Sequence, residues 1–179
     1  MSHGYAMQGG WLHATGSWAE TVWAKIYFLK IWLNEYDWLM WIDSDAMVMN
    51  HAIKLEDTIG KCGDRDLIIC RDYPSSGKNT EALGINCGVF LIRNCEWSIQ
   101  FLSDIDERKP EYISHRFPEQ EAMEEVMCAS ISHVAKVPNP LLNQFWVTWQ
   151  PGDFIVHHAG GSVEDKVKGL TPFLEKVIR

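Results

Sequence analysis

The chain has 179 residues, about the length of one domain, with 46% apolar residues, 22% charged residues and a formal net charge of −8. That balance describes a globular chain with a sizeable core, and it argues against a general nucleic-acid role, which needs a dense basic surface. No apolar run reaches the roughly 18 residues of a membrane-spanning helix, and the first ten residues lack the charged start and apolar stretch of a signal peptide.

A single α/β domain over residues 1–179 is expected, from strands alternating with helices. Residues 3–10 read as a short glycine-rich strand or loop. Residues 18–34 read as a helix, because Val22, Ile26, Leu29 and Leu33 fall on one face. The run at 38–42 has strand length and no polar alternation, which suits a strand covered on both faces in a mainly parallel sheet. A short helix is predicted at 55–61, a buried strand at 66–70, a polar loop at 73–83 and a third strand at 84–92. Asn94 is a candidate N-cap for a helix to about 106. Pro118 opens a helix with acidic residues in its first turn, running to 130. The last strands are expected at 134–137 and 154–158, and a closing helix at 163–179.

The five cysteines (Cys62, Cys70, Cys87, Cys95, Cys128) show no zinc spacing, and their odd number leaves at least one thiol outside any intrachain disulfide. Nine tryptophans suit either core filling or the covering of sugar faces.

The chemistry concentrates at Asp43-Ser44-Asp45, at the carboxyl end of the apolar run, where ligands of open α/β sheets bind. Two carboxylates at that spacing suit a hard divalent cation, Mn²⁺ or Mg²⁺, and the cation in turn suits a diphosphate. A nucleotide-sugar transferase is the activity this pattern suggests. Near the other end, GDFIVHHAGG (152–161) delivers His157 and His158 into Gly160 and Gly161. Alternation sends the two histidines to opposite faces, so at most one faces a metal. The glycines let backbone N–H groups approach a diphosphate closely. Lys25, in the first half of its helix, is placed to reach a donor phosphate or sugar hydroxyl, or else covers the edge of the apolar stripe. Glu119 and Gln120 open the helix at Pro118, and Asn86 is a polar residue in an apolar strand that needs a hydrogen-bonding partner.

These residues lie in stretches that resemble glycosyltransferase family 34, the galactosyl-, mannosyl- and xylosyltransferases. The stretches are HGY (3–5), WAKIYFLK (23–30), WLMWIDSDAMVMN (38–50), INCGVFLIRNCEWSIQFL (85–102), PEQEAM (118–123) and DFIVHHAGG (153–161), and they span almost the whole chain. The resemblance implies a GT-A fold and retaining transfer of a hexose from UDP-galactose or GDP-mannose to a glycan hydroxyl, with Mn²⁺. It implies metal binding by Asp43, Asp45 and His157, Gly160 near the diphosphate, and Glu119, Gln120 and Asn86 near the transferred sugar and acceptor. It also implies a Golgi-lumenal enzyme whose membrane anchor lies outside this chain. Partners are then a nucleotide sugar and a carbohydrate acceptor, with homo- and hetero-oligomers both open.

Three departures qualify the resemblance. Gly161 and Ser162 stand where plant xylosyltransferases carry a cysteine and a phosphate-contacting lysine, leaving Lys166 or Lys168 as replacements. Pro118-Glu119-Gln120 stands where they carry Asp-Asp-Gln, which favours hexosyl over xylosyl transfer. The first strand and helix that precede HGY in the family are expected to be missing, leaving an open sheet edge. Competing readings are a plant-type xylosyltransferase, a sugar-nucleotide hydrolase or nucleotidyltransferase, a non-catalytic carbohydrate-binding module, and an inactive remnant.

Overall fold

The computed structural model describes residues 4–7, 17–72 and 84–179. The loop expected at 73–83 and half of the segment expected at 3–10 lie outside them. Helix α1 (Trp18–Trp32) starts at Ser17, whose hydroxyl accepts from the backbone N–H of Glu20, and it continues into a 3₁₀ turn at Leu33–Glu35. Strand β1 (Trp38–Ile42) follows, then a tight turn into β2 (Ala46–Val48), α2 (Leu55–Lys61), β3 (Leu67–Arg71) and β4 (Ile85–Arg93). Next come α3 (Glu96–Glu107), α4 (Lys109–Tyr112), α5 (Pro118–Cys128), β5 (Val134–Val137), α6 (Asn139–Leu142), β6 (Gln144–Phe145), β7 (Ile155–His157) and α7 (Val163–Leu170).

The main sheet has the order β1-β4-β3-β5. β4 runs antiparallel to both β1 and β3, while β3 and β5 are parallel. The sheet is therefore mixed, not mainly parallel as the apolar runs predicted, although β1, β3 and β5 share one direction. Continuous apolar runs record burial on two faces, and β4 has that burial while running against its neighbours. Its Phe90 and Ile92 pack under α1, α3 and α5, and its Val89 and Leu91 face the second layer. That layer is a three-stranded sheet, β2-β7-β6, with β2 antiparallel and β6 parallel to β7. Among the described strands β1 and β5 are the edges of the main sheet.

Two predicted details are corrected. The N-cap of α3 is Cys95, with no side-chain capping bond, and Asn94 lies one residue ahead of the cap with its backbone N–H given to Asp37 O. The closing helix is broken: α7 stops at Leu170 and a 3₁₀ segment, Thr171–Lys176, takes over. Pro172 has no N–H for the next helical bond. All five cysteines are free thiols.

The register of β4 against β3 slips between the pairs Ile69↔Phe90 and Cys70↔Asn86. Cys87, Gly88 and Val89 thus have no partner on β3, while Val89 still pairs with Ile42 of β1. Such bulges re-aim side chains beside functional sites. The core next to the bulge rests on Phe90, which is fully buried. Truncating it, Phe90→Ala, is expected to lower unfolding stability by roughly 3–5 kcal/mol, read from urea denaturation. A loss below about 1 kcal/mol would mean that the packing of α1, α3 and α5 on the main sheet does not depend on this ring.

Candidate metal centre

The turn after β1 sets the acidic pair. The backbone N–H of Asp43 donates to Gly88 O (2.7 Å), and that of Ala46 donates to Asp43 O (3.0 Å). β2 then pairs with β7 so that Ala46 lies opposite His157, and the His158 N–H donates to Asp45 O (2.9 Å). These ladders carry the His157 imidazole to Asp45, with Nε2 3.2 Å from Oδ1. One ligand atom each from Asp43, Asp45 and His157 lies within 4.8 Å of the others. Two carboxylate oxygens and an imidazole nitrogen form a donor set that fits Mn²⁺ or Mg²⁺.

Burial would raise the Asp45 carboxyl, but hydrogen bonds from His157 and from Lys166 outweigh it and bring its pKa down to about 2. The Lys166 ammonium, one turn into α7, sits 2.7 Å from Asp45 Oδ2. A cation is thus already drawn to this carboxylate. Ser162 caps α7 in a reciprocal pair with Asp165, and Gly160 and Gly161, both left-handed (φ 79° and 77°), turn the chain from β7 into that cap. Lys168, by contrast, is exposed. An open groove of about 320 Å³ runs beside Asp45, between Ser44, Met47 and the apolar face of α7 at Val163, Val167 and Leu170.

Below the acidic pair lies a buried charged tier. Lys25 is 3% exposed. Its ammonium donates to Cys87 O (2.8 Å) and Glu119 Oε1 (3.1 Å), contacts Cys87 Sγ (3.2 Å) and lies 3.4 Å from Asp43 Oδ1. Burial would lower the Lys25 pKa, but Cys87, Asp43 and Glu119 reverse this and hold it well above its usual value. Burial pushes the Cys87 thiol far up, so it remains protonated and can donate to Glu119 Oε1 (3.3 Å). Four protein acceptors surround the ammonium's three protons. The sequence placed Lys25 near the carboxyl end of β1, and it is there, but it faces inward to Asp43 and Glu119 and not toward an open donor surface.

Gln120 Oε1 accepts from the Cys87 N–H (3.2 Å), so the first turn of α5 is docked on the β4 bulge through both of its candidate residues. Asn86 is part of a polar network: its Oδ1 accepts from the Gly88 N–H (3.1 Å) and from Asn143 Nδ2 (2.8 Å), and its Nδ2 donates to Asp72 (3.3 Å). His158 is absent from the metal group; it stacks on Trp146 at 4.7 Å between ring centres. Sequence reasoning missed Asn143, Trp41 and Gly88. The Trp41 indole donates to Asp43 Oδ1 (2.5 Å). Gly88 carried a readable signal, since a glycine inside an apolar strand marks a bulge or a close approach. Asn143 carried little beyond being polar between Leu142 and Phe145.

The chain belongs to the galactosyl transferase GMA12/MNN10 family, whose profile matches residues 1–82 and 78–168. An uncharacterized alpha-1,2-galactosyltransferase of Schizosaccharomyces pombe is 29% identical over 178 residues, 77% of this chain and 46% of that protein. Galactomannan galactosyltransferase 1 of Cyamopsis tetragonoloba is 31% identical over 99 residues, 52% of this chain and 22% of that protein. The chain therefore spans less than half the length of these relatives. A crystal structure of a glycosyltransferase involved in the glycosylation of the major capsid of PBCV-1 superposes with a TM-score of 0.65 at 13% identity, covering 90% of this chain and 79% of that one. The fold is accordingly the GT-A-like α/β fold expected.

Two substitutions probe how the site is held. In Gly88→Ala the new methyl would lie 2.2 Å from His157 Cε1. The ring must move, so Mn²⁺ affinity by calorimetry is expected to fall by about tenfold or more, the loss seen when a metal ligand is misoriented, with the circular dichroism spectrum kept. Unchanged affinity would mean that His157 does not hold the ion. Lys25→Met leaves Glu119 and Asp43 without their cation, and is expected to cost roughly 3–5 kcal/mol of stability. An unshifted thermal midpoint would show that the buried tier is not the anchor it resembles.

Proposed function

We propose that this chain is the catalytic part of a metal-dependent, retaining glycosyltransferase that moves a hexose from UDP-galactose or GDP-mannose to a glycan hydroxyl in α-linkage. The observation that carries this reading is the convergence of Asp43, Asp45 and His157 at the carboxyl ends of β1 and β7 in a chain of this family. Both relatives described above bear galactosyltransferase names, which supports galactose as the sugar. The resemblance supports a Golgi-lumenal enzyme; among the described residues no helix is long and apolar enough to cross a membrane.

A divalent ion held by the three side chains would act as a Lewis acid, stabilising charge on the departing diphosphate. Asp43, Asp45 and His157 fix where the diphosphate lies. Gly160 and Gly161 give it a close backbone approach, and the Lys166 ammonium, now on Asp45, is a cation within reach of it. Glu119 is a poor covalent nucleophile here, because it is 5% exposed and its Oε1 is bound by Lys25 and Cys87. A front-face transfer fits better. The bond from the anomeric carbon to the diphosphate breaks, the acceptor oxygen bonds to that carbon on the same face, and the acceptor proton passes to the leaving diphosphate. Gln120 and Glu119 then act by fixing the wall of the pocket against which sugar and acceptor align.

The deciding measurement is calorimetric titration with UDP and with GDP, each with Mn²⁺ and with EDTA. Binding of one nucleotide that disappears with EDTA, and that Asp45→Asn abolishes without loss of fold, is expected. Nucleotide binding indifferent to Mn²⁺ would overturn the metal-centre reading, and glycan binding without nucleotide would favour a carbohydrate-binding module. Product analysis separates transfer from hydrolysis, since a transferase forms a new α-glycoside only when acceptor is present.

A further inference from the structure

Behind His157 lies a chain of hydrogen bonds with only one consistent direction. It begins at Gly88, whose backbone N–H can only donate. That N–H points at Asn86 Oδ1 (3.1 Å), so this atom of the Asn86 amide is its oxygen. The same oxygen lies 2.8 Å from Asn143, so Asn143 presents its NH₂ group there. Asn143 must then turn its own oxygen the other way, toward His157 Nδ1 at 3.0 Å. An amide oxygen can only accept. His157 Nδ1 must therefore carry a proton, and the lone pair of the neutral ring is on Nε2, the atom that faces Asp45. All three side chains are buried, at 8%, 2% and 2% exposure for Asn86, Asn143 and His157, so water does not readily rescue a reversed amide.

We infer that Asn143, held by Asn86 and the Gly88 N–H, is a positioning residue that locks His157 in the Nδ1–H tautomer and so aims its Nε2 lone pair at the ion between Asp43 and Asp45. The inference rests on the metal-centre reading for its purpose, but the tautomer itself does not. It accounts for three features together. Gly88 lies in the irregular stretch of β4, and its N–H is given to the Asn86 side chain, where the relay starts. Gly88 has no side chain, so the ring can pack against its Cα. And Nε2 lies 3.2 Å from a carboxylate oxygen, a contact that is favourable only with a positive charge, either a second ring proton or a metal ion, between lone pair and carboxylate.

The test reads the ring nitrogens of His157 by ¹⁵N–¹H correlation in the metal-free chain, with the pH raised until the ring carries a single proton, alongside Mn²⁺ affinity by calorimetry. A protonated Nδ1 is expected in the wild type and in Asn143→Asp, which keeps an acceptor at that position. Asn143→Ala is expected to lose that preference and to bind Mn²⁺ about 10- to 100-fold more weakly. A wild-type ring protonated only at Nε2 overturns the inference. So does a folded Asn143→Ala variant whose Mn²⁺ affinity and tautomer both match the wild type. Should the wild type take up no Mn²⁺, the metal-centre reading falls by itself, and the Nδ1 proton alone decides the relay: present, it stands as a lock on His157; absent, it is wrong.

Discussion

The arrangement at the centre of this chain depends on a missing methyl group. At position 88 the His157 ring occupies the space that any Cβ would fill, within 2.2 Å of Cε1. The same residue gives its carbonyl to the Asp43 N–H and its own N–H to Asn86. One glycine thus anchors the acidic turn, the histidine and the network behind it. It sits in the slipped stretch of β4, where Cys87, Gly88 and Val89 have no partner on β3.

Electrostatics sets the second tier. Carboxylates on an apolar strand are costly to bury unless paired, and here Lys25 stands between Asp43 and Glu119 with the protonated thiol of Cys87 as a further donor. Glu119 is held by this group rather than by solvent, and Gln120 is pinned to the same bulge. The first turn of α5 and the end of β1 consequently share one support. The upper tier, by contrast, is open: Asp45 reaches Lys166 on a helix whose apolar face is exposed, with Val163 at 78%. The acidic pair thus rests on a buried, fully paired tier on one side and borders an open groove on the other.

Much of this was legible in the residues. The run at 38–42 became β1 with the same ends, and the acidic pair sits in the turn that follows. Period-two alternation separated His157 from His158, and the fold class followed from alternating elements. What escaped was what depends on long-range partners. Strand direction left no trace, since two-sided burial gives the same apolar run either way. The short strands β2 and β6 have too few residues for a period to register. Lys25 was placed at the right end of its helix, but its inward direction is decided by Glu119, 94 residues away in sequence. Asn143 is the clearest case: its role comes from Asn86, 57 positions earlier, and from His157, 14 later.

The thiols of this chain divide by depth. Cys70 is buried and pushed up to about 12 by desolvation, and Cys87 is buried beside Glu119, so neither offers a thiolate to a reagent. Cys128 is exposed at the far end of α5, the helix whose other end carries Glu119 and Gln120. An attachment point therefore lies at the opposite end of the helix whose first turn docks on the β4 bulge. With the part-exposed Cys62 and Cys95 replaced by serine, a nitroxide placed there would act as a ruler from α5 to a paramagnetic ion beside Asp43 and Asp45, while the two buried sulfurs stay untouched.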